Sequence, residues 1–156
     1  MIEQYIRGII EREEAIEESE RPLYHTNCAE NLLRSSNEQY DLGLDEKYFR
    51  LICPYGAGMQ TGNTCGALLG SLAALGLLYG ENKPTENKKM KAAVGAYVQR
   101  FEEHFGSLKC TCIKEKHCDE TGSCTPVKVQ AGELLEGVVR DFEAIYQEYL
   151  ENEDAE

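Results

Sequence analysis

The sequence predicts an all-α protein, a compact bundle of about five or six helices around one buried central helix. Apolar residues recur at helical spacing in most segments, and no segment shows the strict alternation of a half-buried strand. With 156 residues, of which 42% are hydrophobic, the chain can bury a core of its own. We therefore expect a single domain, residues 1–156, in which residues 26–150 form the core and residues 1–22 an accessory N-terminal helix.

The first helix is expected from residue 2 to about residue 20, because Arg21 and Pro22 end its pattern. Its isoleucines share one face of the helix. That face needs a partner, which is either the core of the same chain or a second copy of it. The second option predicts a homodimer.

Two shorter helices follow the first. Thr26 is a suitable cap for a helix that carries Cys28 and ends near residues 35–37. Asp45 is expected to cap the next helix, which holds Phe49. Both helices precede the least polar part of the chain.

The central helix is predicted from a stretch without charge. No charged residue occurs in residues 51–80, and half of the chain's glycines fall there. Residues 54–63 are expected to form a glycine-rich loop with several unusual backbone angles. Thr64 then caps a helix over residues 65–79 that is apolar on every side and should be buried. Its length is too short for a membrane span, which takes about 20 apolar residues.

Three segments complete the chain. Apolar residues over residues 90–105 predict an amphipathic helix that Gly106 ends. Residues 107–124 are expected to form a cysteine-rich loop with four cysteines. Thr125 and Pro126 then open the last helix, whose apolar face continues to Tyr149.

The charge of the chain excludes some classes of partner. The 28 acidic and 16 basic residues give a formal net charge of −12, which repels nucleic acid and anionic lipid. The first residues lack the basic segment, continuous apolar segment and cleavage site of a secretion signal, so we expect a cytoplasmic protein. In a reducing compartment, seven cysteines indicate catalysis or metal binding more than a static disulfide framework.

Three cysteines lie at predicted helix starts: Cys28, Cys65 and Cys124. A helix start presents free backbone N–H groups and the positive end of the helix dipole, which favour a thiolate over a thiol. A cysteine placed there is expected to have a lowered pKa and to be a better nucleophile or metal ligand. The alternative for each is a small buried apolar residue.

Gly66 and Gly70 clear one edge of the helix that follows Cys65. Another backbone, a cofactor or a second thiol can therefore approach Cys65 closely, although close helix packing alone is the alternative. The earlier glycines lack the GK[ST] ending and the preceding strand of a phosphate-binding loop. Nucleotide binding is therefore not favoured.

A second group of thiols lies later in the chain: Cys110, Cys112, Cys118 and Cys124, with His117 among them. Four thiols within fifteen residues can hold zinc or an iron–sulfur cluster, but the spacing matches neither zinc ribbons nor ferredoxins. Without a metal, these thiols could exchange disulfides with Cys65 or Cys28. His25, three residues before Cys28, is a candidate base for it.

The chain resembles the C_GCAxxG_C_C family, whose members are described as redox-active, from about residue 26 to residue 139. The residues that carry the resemblance are Asn27, Cys28, Ala29, Gly58, Met59, Gly62, Thr64, Cys65, Gly66, Ala67, Gly70, Phe101, Phe105, Gly106, Ser107, Cys110 and Cys124. The four recurring cysteines of the family carry over to Cys28, Cys65, Cys110 and Cys124, whereas Cys53, Cys112 and Cys118 are extra. A related domain occurs beside haem in larger electron-transfer proteins, but this chain has no C-x-x-C-H haem attachment motif.

The leading hypothesis is a thiol-dependent redox protein in which Cys28, Cys65, Cys110 and Cys124 meet at one end of the bundle. Cys65 is the expected thiolate, and Cys110 or Cys124 its resolving partner. The glycine positions Gly58, Gly62, Gly66 and Gly70 are the candidate cofactor-binding residues.

A second hypothesis has the same four thiolates hold a metal, an iron–sulfur cluster in preference to zinc, with Cys112 and Cys118 as further candidate ligands. A third is a binding or scaffold protein with structural cysteines. The expected partner is a redox protein, a small thiol or an electron carrier, without nucleic acid or membrane insertion.

Overall fold

The structure is a computed structural model and describes residues 1–83 and 85–154. Its elements in those residues are eight α-helices with short turns between them, and one isolated bridge between Thr64 and Lys109 in place of a sheet. The helices are α1 Ile2–Glu14, α2 Cys28–Tyr40, α3 Glu46–Ile52, α4 Gly66–Tyr79, α5 Lys88–Phe105, α6 Cys110–His117, α7 Thr125–Arg140 and α8 Phe142–Glu153. The predicted all-α class is confirmed.

The central helix of the bundle is α4, as the uncharged stretch predicts. It packs most extensively against α2 and also contacts α5 and α7. Leu68, Ala74 and Leu75 of this helix are at most 2% exposed. Burial on every side holds only for the first part of α4, because Leu77 near its end is 48% exposed. Among the described residues, no helix is both long and apolar enough to cross a membrane.

The first helix is shorter than predicted. It ends at Glu14, and Nη2 of Arg21 donates to the carbonyl oxygens of Glu14 (3.0 Å) and Ile16 (3.2 Å). The run of glutamates at this end opposes the helix dipole, so continuation of the helix is unfavourable.

The isoleucine face of α1 is covered by the same chain. Ile2 and Ile6 are fully buried, and both lie against Gly132 of α7. The helix also contacts α2. The homodimer prediction depended on an uncovered isoleucine face, and in the structure the same chain covers that face.

Helix α2 begins one residue later than predicted, since the cap is Asn27 and not Thr26. Oδ1 of Asn27 accepts from the backbone N–H groups of Ala29 (3.0 Å) and Glu30 (3.1 Å). The Glu30 carboxylate in turn accepts from the Asn27 backbone N–H, at 3.4 Å. This reciprocal capping box fixes the start of α2 and hence the position of Cys28.

Helix α2 also continues past its predicted end, to Tyr40. Asp41 then takes a left-handed conformation (φ 50°) and ends the helix. The predicted cap of α3 is confirmed, because the Asp45 side chain accepts from the Lys47 backbone N–H at 3.0 Å.

The predicted cysteine-rich loop contains a helix that the sequence analysis missed. Residues Cys110–His117 form α6, which Ile113 anchors to the core with 1% exposure. Lys114, Lys116 and His117 lie near its C-terminal end, where positive charge complements the helix dipole. Gly106 ends α5 with φ 70°, as predicted.

The predicted last helix is divided in two. Asp141 separates α7 from α8 and has a non-helical backbone. Its carboxylate accepts from Arg100 and Arg140, both at 3.0 Å. These side-chain bonds hold the chain at the break, so that α8 packs on α5.

Candidate functional site

All four cysteines of the motif lie at helix starts. Cys28 is the first residue of α2 and Cys110 the first of α6, while Cys65 and Cys124 immediately precede α4 and α7. The sequence analysis placed three of them in this way and missed Cys110, because it did not predict α6. All seven cysteines of the chain are free thiols.

Gly66 and Gly70 bring the starts of α2 and α4 together. A Cβ atom on Gly70 would overlap the backbone of Ala29, and one on Gly66 would lie 3.0 Å from the Tyr55 carbonyl oxygen and 3.4 Å from the Ala29 nitrogen. Ala29 follows Cys28 directly, and Gly66 follows Cys65. The close approach of the two backbones therefore positions these two thiols in the same region.

A short antiparallel pairing brings the starts of α4 and α6 together. The Cys65 N–H donates to the Leu108 carbonyl oxygen at 2.8 Å, and the Cys110 N–H donates to the Asn63 carbonyl oxygen at 2.6 Å. The single bridge between Thr64 and Lys109 lies between these bonds. Thr64 was expected to cap α4 and instead forms this bridge.

The segment before α7 closes on itself and brings Cys118 to Cys124. Oδ1 of Asp119 accepts from the backbone N–H groups of Thr121 (2.9 Å) and Ser123 (3.0 Å). The Asp119 N–H in turn donates to the Ser123 carbonyl oxygen at 3.1 Å. As a result, the Cys118 and Cys124 sulfurs are 3.3 Å apart.

Three of the motif cysteines line one cleft with a volume of about 580 Å³. Its lining residues are His25, Asn27, Cys28, Ala57, Gln60, Cys110, Lys114, Thr121, Gly122, Ser123, Cys124 and Lys128. Cys65 is 4% exposed and lies outside this lining, although its charge couples to Cys110 and Cys124. We name this feature the thiol cleft.

Cys124 interacts with two other cysteines, Cys28 in the lining of the thiol cleft and Cys118 outside that lining, whose sulfur is 3.3 Å away. The interaction with Cys124 is the main cause that lowers the pKa of Cys28, and it raises the pKa of Cys124 itself. Burial, together with a hydrogen bond to Cys124, raises the pKa of Cys118 to about 11. These directions describe a chain of donors from Cys118 to Cys124 to Cys28, which stabilises the thiolate of Cys28.

The predicted lowering of pKa at helix starts is found at Cys28 and not at Cys65. Burial raises the pKa of Cys65 to about 11, and the backbone N–H groups of Leu68 and Ala67 offset only part of this effect. Burial likewise raises the pKa of Cys110. A helix start therefore favours a thiolate here only where hydrogen-bond donors and a cation outweigh desolvation.

The sequence analysis did not identify two lysines that line the thiol cleft. Lys128 is only 5% exposed, and its charge lowers the pKa of Cys28. Lys114 offsets a small part of the rise in the pKa values of Cys110 and Cys124. The signal for Lys128 was present in the sequence, because it interrupts the apolar face of α7 one turn after Cys124.

The glycine-rich loop forms a left-handed turn at the edge of the thiol cleft. Ala57, Gly58, Met59 and Gln60 have consecutive φ values of 50°, 65°, 56° and 60°. The predicted unusual backbone angles are confirmed, but three of these four residues are not glycine. The turn fills space beside α6, because a Cβ on Gly58 would lie 2.6 Å from Cβ of Cys110.

The candidate cofactor-binding glycines all face protein atoms. A Cβ on Gly62 would lie 2.7 Å from the Thr111 methyl group, and the contacts of Gly58, Gly66 and Gly70 are those given above. The chain itself fills the space that each glycine leaves. A cofactor role for them stays a prediction, whereas their packing role is visible.

The remaining candidates lie around the thiol cleft or outside it. His25 lines the cleft, but its Nδ1 pairs with Glu13 at 3.1 Å. His117 contacts the Phe105 carbonyl oxygen at 3.2 Å through Nε2. Cys53 is exposed, and Cys112 is half-buried on α6. No group of three or more His, Cys, Asp or Glu side chains in the described ranges has the arrangement of a metal site.

Comparison with known proteins identifies one family. The family model described as "Putative redox-active protein (C_GCAxxG_C_C)" matches residues 26–138. No curated protein and no solved structure matches the chain. The matched region holds all four cysteines at helix starts and both glycines of the α2–α4 contact. Because it spans well over half of the sequence, the chain belongs to the C_GCAxxG_C_C family.

Proposed function

We propose that this protein carries out thiol–disulfide exchange in the thiol cleft, with Cys28 as the attacking thiolate and Cys124 as its resolving partner. The observation that carries the proposal is that Cys28 and Cys124 line the same cleft, which is large enough for a small substrate, and Cys124 is also the main cause of the lowered Cys28 pKa. It assigns the attack to Cys28 in place of Cys65, because Cys65 is buried and its pKa is raised.

The first step consumes a disulfide of the substrate. The Cys28 thiolate attacks one substrate sulfur, a bond forms between the two sulfurs, and the other half of the substrate leaves as a thiolate that takes up a proton. The reactive species is the thiolate, so the lowered pKa of Cys28 increases the reactive fraction at neutral pH.

The second step resolves the mixed disulfide. Cys124 loses its proton, its sulfur attacks the Cys28 sulfur, and the rest of the substrate leaves as a thiol. Two protein thiols are thereby oxidised to one disulfide, and the substrate disulfide is reduced to two thiols. The hydrogen bond to the Cys28 thiolate is the main cause of the raised Cys124 pKa, so loss of that thiolate in the first step makes Cys124 easier to ionise.

Trapping of the mixed disulfide tests the proposal. In Cys124→Ser, Cys28 can attack but cannot be resolved, so treatment with a small disulfide should leave a stable adduct on Cys28 that peptide mass mapping detects. The wild-type protein should instead lose two free thiols. Cys53→Ser is the matched control, because Cys53 is exposed and lies outside the thiol cleft.

Two outcomes would overturn the proposal. One is a Cys124→Ser variant that carries no adduct on Cys28 under conditions that modify Cys53. The other is protein purified without oxygen that contains about two irons, absorbs visible light and shows the four motif thiols only after the metal is removed. That second result would make the cysteines ligands of a cluster.

A further inference from the structure

The lining of the thiol cleft has an unusual charge for this chain. The chain carries 28 acidic residues, yet none of them lines this cleft. The charged or titratable nitrogen groups that line it are Lys114, Lys128 and His25. Four other surface cavities in the described residues each include at least two acidic residues.

Lys128 is the cation that places positive charge inside the thiol cleft. It is 95% buried and lines the cleft, while no carboxylate within 4 Å pairs with it among the residues the structure describes. A cation in the lining of a partly enclosed cleft favours an anion or a set of hydrogen-bond acceptors that faces it. The Cys28 thiolate supplies one such anion. During exchange that anion is consumed, which leaves the Lys128 cation able to bind a second negative group.

We infer that the thiol cleft selects small disulfide substrates that carry an anionic group, such as a carboxylate or sulfonate, and that Lys128 binds this group. This inference rests on the proposed function and names its substrate class. Asn27, Gln60, Thr121 and Ser123 add neutral hydrogen-bonding groups to the same lining. Lys114 adds a second cation that faces Cys110 and Cys124.

If Lys128 binds an anionic group, Cys28 should react faster with anionic reagents although the whole protein is negatively charged. A net charge of −12 repels an anionic reagent from an ordinary surface thiol. At Cys53, which is exposed, a cationic reagent should therefore react faster than an anionic one. At Cys28, the lysines of the cleft should reverse this preference.

Three methanethiosulfonates test this reversal, because they share one reacting group and differ only in the charge of the transferred part: sulfonatoethyl, hydroxyethyl and trimethylammonioethyl. In each case the thiolate attacks the divalent sulfur, a disulfide forms and methanesulfinate leaves. Rates at Cys28 and Cys53 are followed in the same sample by peptide mass mapping. We expect the ratio of anionic to cationic rate to be about tenfold or more higher at Cys28 than at Cys53.

Lys128→Met separates charge selection from thiol reactivity. Loss of the cation also raises the Cys28 pKa and slows all three reagents, so the ratio of rates is the informative quantity. We expect that ratio to fall about tenfold in Lys128→Met and to be retained in Lys128→Arg. Lys116→Met is the matched control, because Lys116 shares α6 with Lys114 but does not line the cleft.

The outcomes distinguish this inference from the proposed function. Cys28 that reacts readily, but prefers the cationic reagent as Cys53 does, overturns the inference and leaves thiol exchange standing. If the Lys128→Met variant keeps the preference for the anionic reagent, Lys128 does not bind the anionic group, and the inference is likewise overturned. Cys28 that reacts with none of the three reagents overturns the proposed function itself.

Discussion

Gly70→Ala is the substitution whose effect follows most directly from the structure. The new Cβ would overlap the carbonyl oxygen of Ala29 and would lie 3.0 Å from its carbonyl carbon and Cα. These are backbone atoms of α2, which cannot rotate away as a side chain can. The two helices must therefore separate by about 1 Å, and the most extensive helix contact of the fold is loosened.

The magnitude is a balance of two terms. Overpacking of this kind costs about 1–3 kcal/mol, whereas alanine in place of glycine inside a helix returns about 1 kcal/mol. We expect a net loss of up to about 2 kcal/mol in the free energy of unfolding. Gly76→Ala is a matched control in the same helix, because nothing lies within 4 Å of a Cβ at Gly76. That control should gain about 0.5–1 kcal/mol.

Urea denaturation followed by circular dichroism measures both changes, and thermal unfolding gives a second readout. For a chain of this size, about 2–4 °C per kcal/mol is expected, so the two variants should differ by several degrees in Tm. Equal or greater stability of Gly70→Ala relative to Gly76→Ala would refute the argument that glycine is needed for the approach of α2 to α4. In a folded Gly70→Ala protein, the reactivity of Cys28 should also change, because Cys28 precedes the displaced Ala29.

Three further predictions concern the thiol cleft and its supports. Because the Cys28 pKa is lowered, alkylation of Cys28 by neutral iodoacetamide should reach half its maximal rate below pH 9.0, whereas alkylation of Cys65 should require about pH 11. Peptide mass mapping across a pH series measures both midpoints, and equal midpoints would contradict this prediction. Asn27→Ala removes the cap of α2 and should cost about 1–2 kcal/mol in urea denaturation, while Asn27→Asp, which keeps the acceptor, should cost less. Met59→Gly should stabilise the protein by about 0.5–1 kcal/mol because the Met59 backbone is left-handed (φ 56°), and Met59→Val should destabilise it. The opposite order of stability in urea denaturation would show that the backbone of this turn is not strained.

Local patterns in the sequence were sufficient for most of the secondary structure. Residues with helical periodicity, the cap Asp45 and the terminator Gly106 act within one or two turns of the chain, so their effect can be predicted without knowledge of the fold. Two of the larger errors, the missed helix α6 and the undivided last helix, are at positions where a distant residue contributes. The break at Asp141 depends on Arg100 of α5, which is 41 residues away.

Helix α6 shows the same limit within the candidate site. Its eight residues give a weak periodic signal, and its start is fixed by pairing of Cys110 with Asn63 across 47 residues. The sequence analysis therefore placed Cys110 in a loop and missed that it shares the helix-start position of the other motif cysteines. The resemblance to the family singled out Cys110, although it gives no geometry.

The sequence by itself determined the all-α class, the uncharged central helix and the helix-start position of Cys28, Cys65 and Cys124, because each depends on residue type and local spacing. Only the tertiary structure decided how the thiols differ. Cys28 and Cys65 both lie at helix starts, but Cys28 lines the thiol cleft with Cys124 and Lys128, while Cys65 is enclosed by the core. Desolvation and through-space charge act between residues that are far apart in the chain, so the pKa order of these thiols could be found only once the helices were packed.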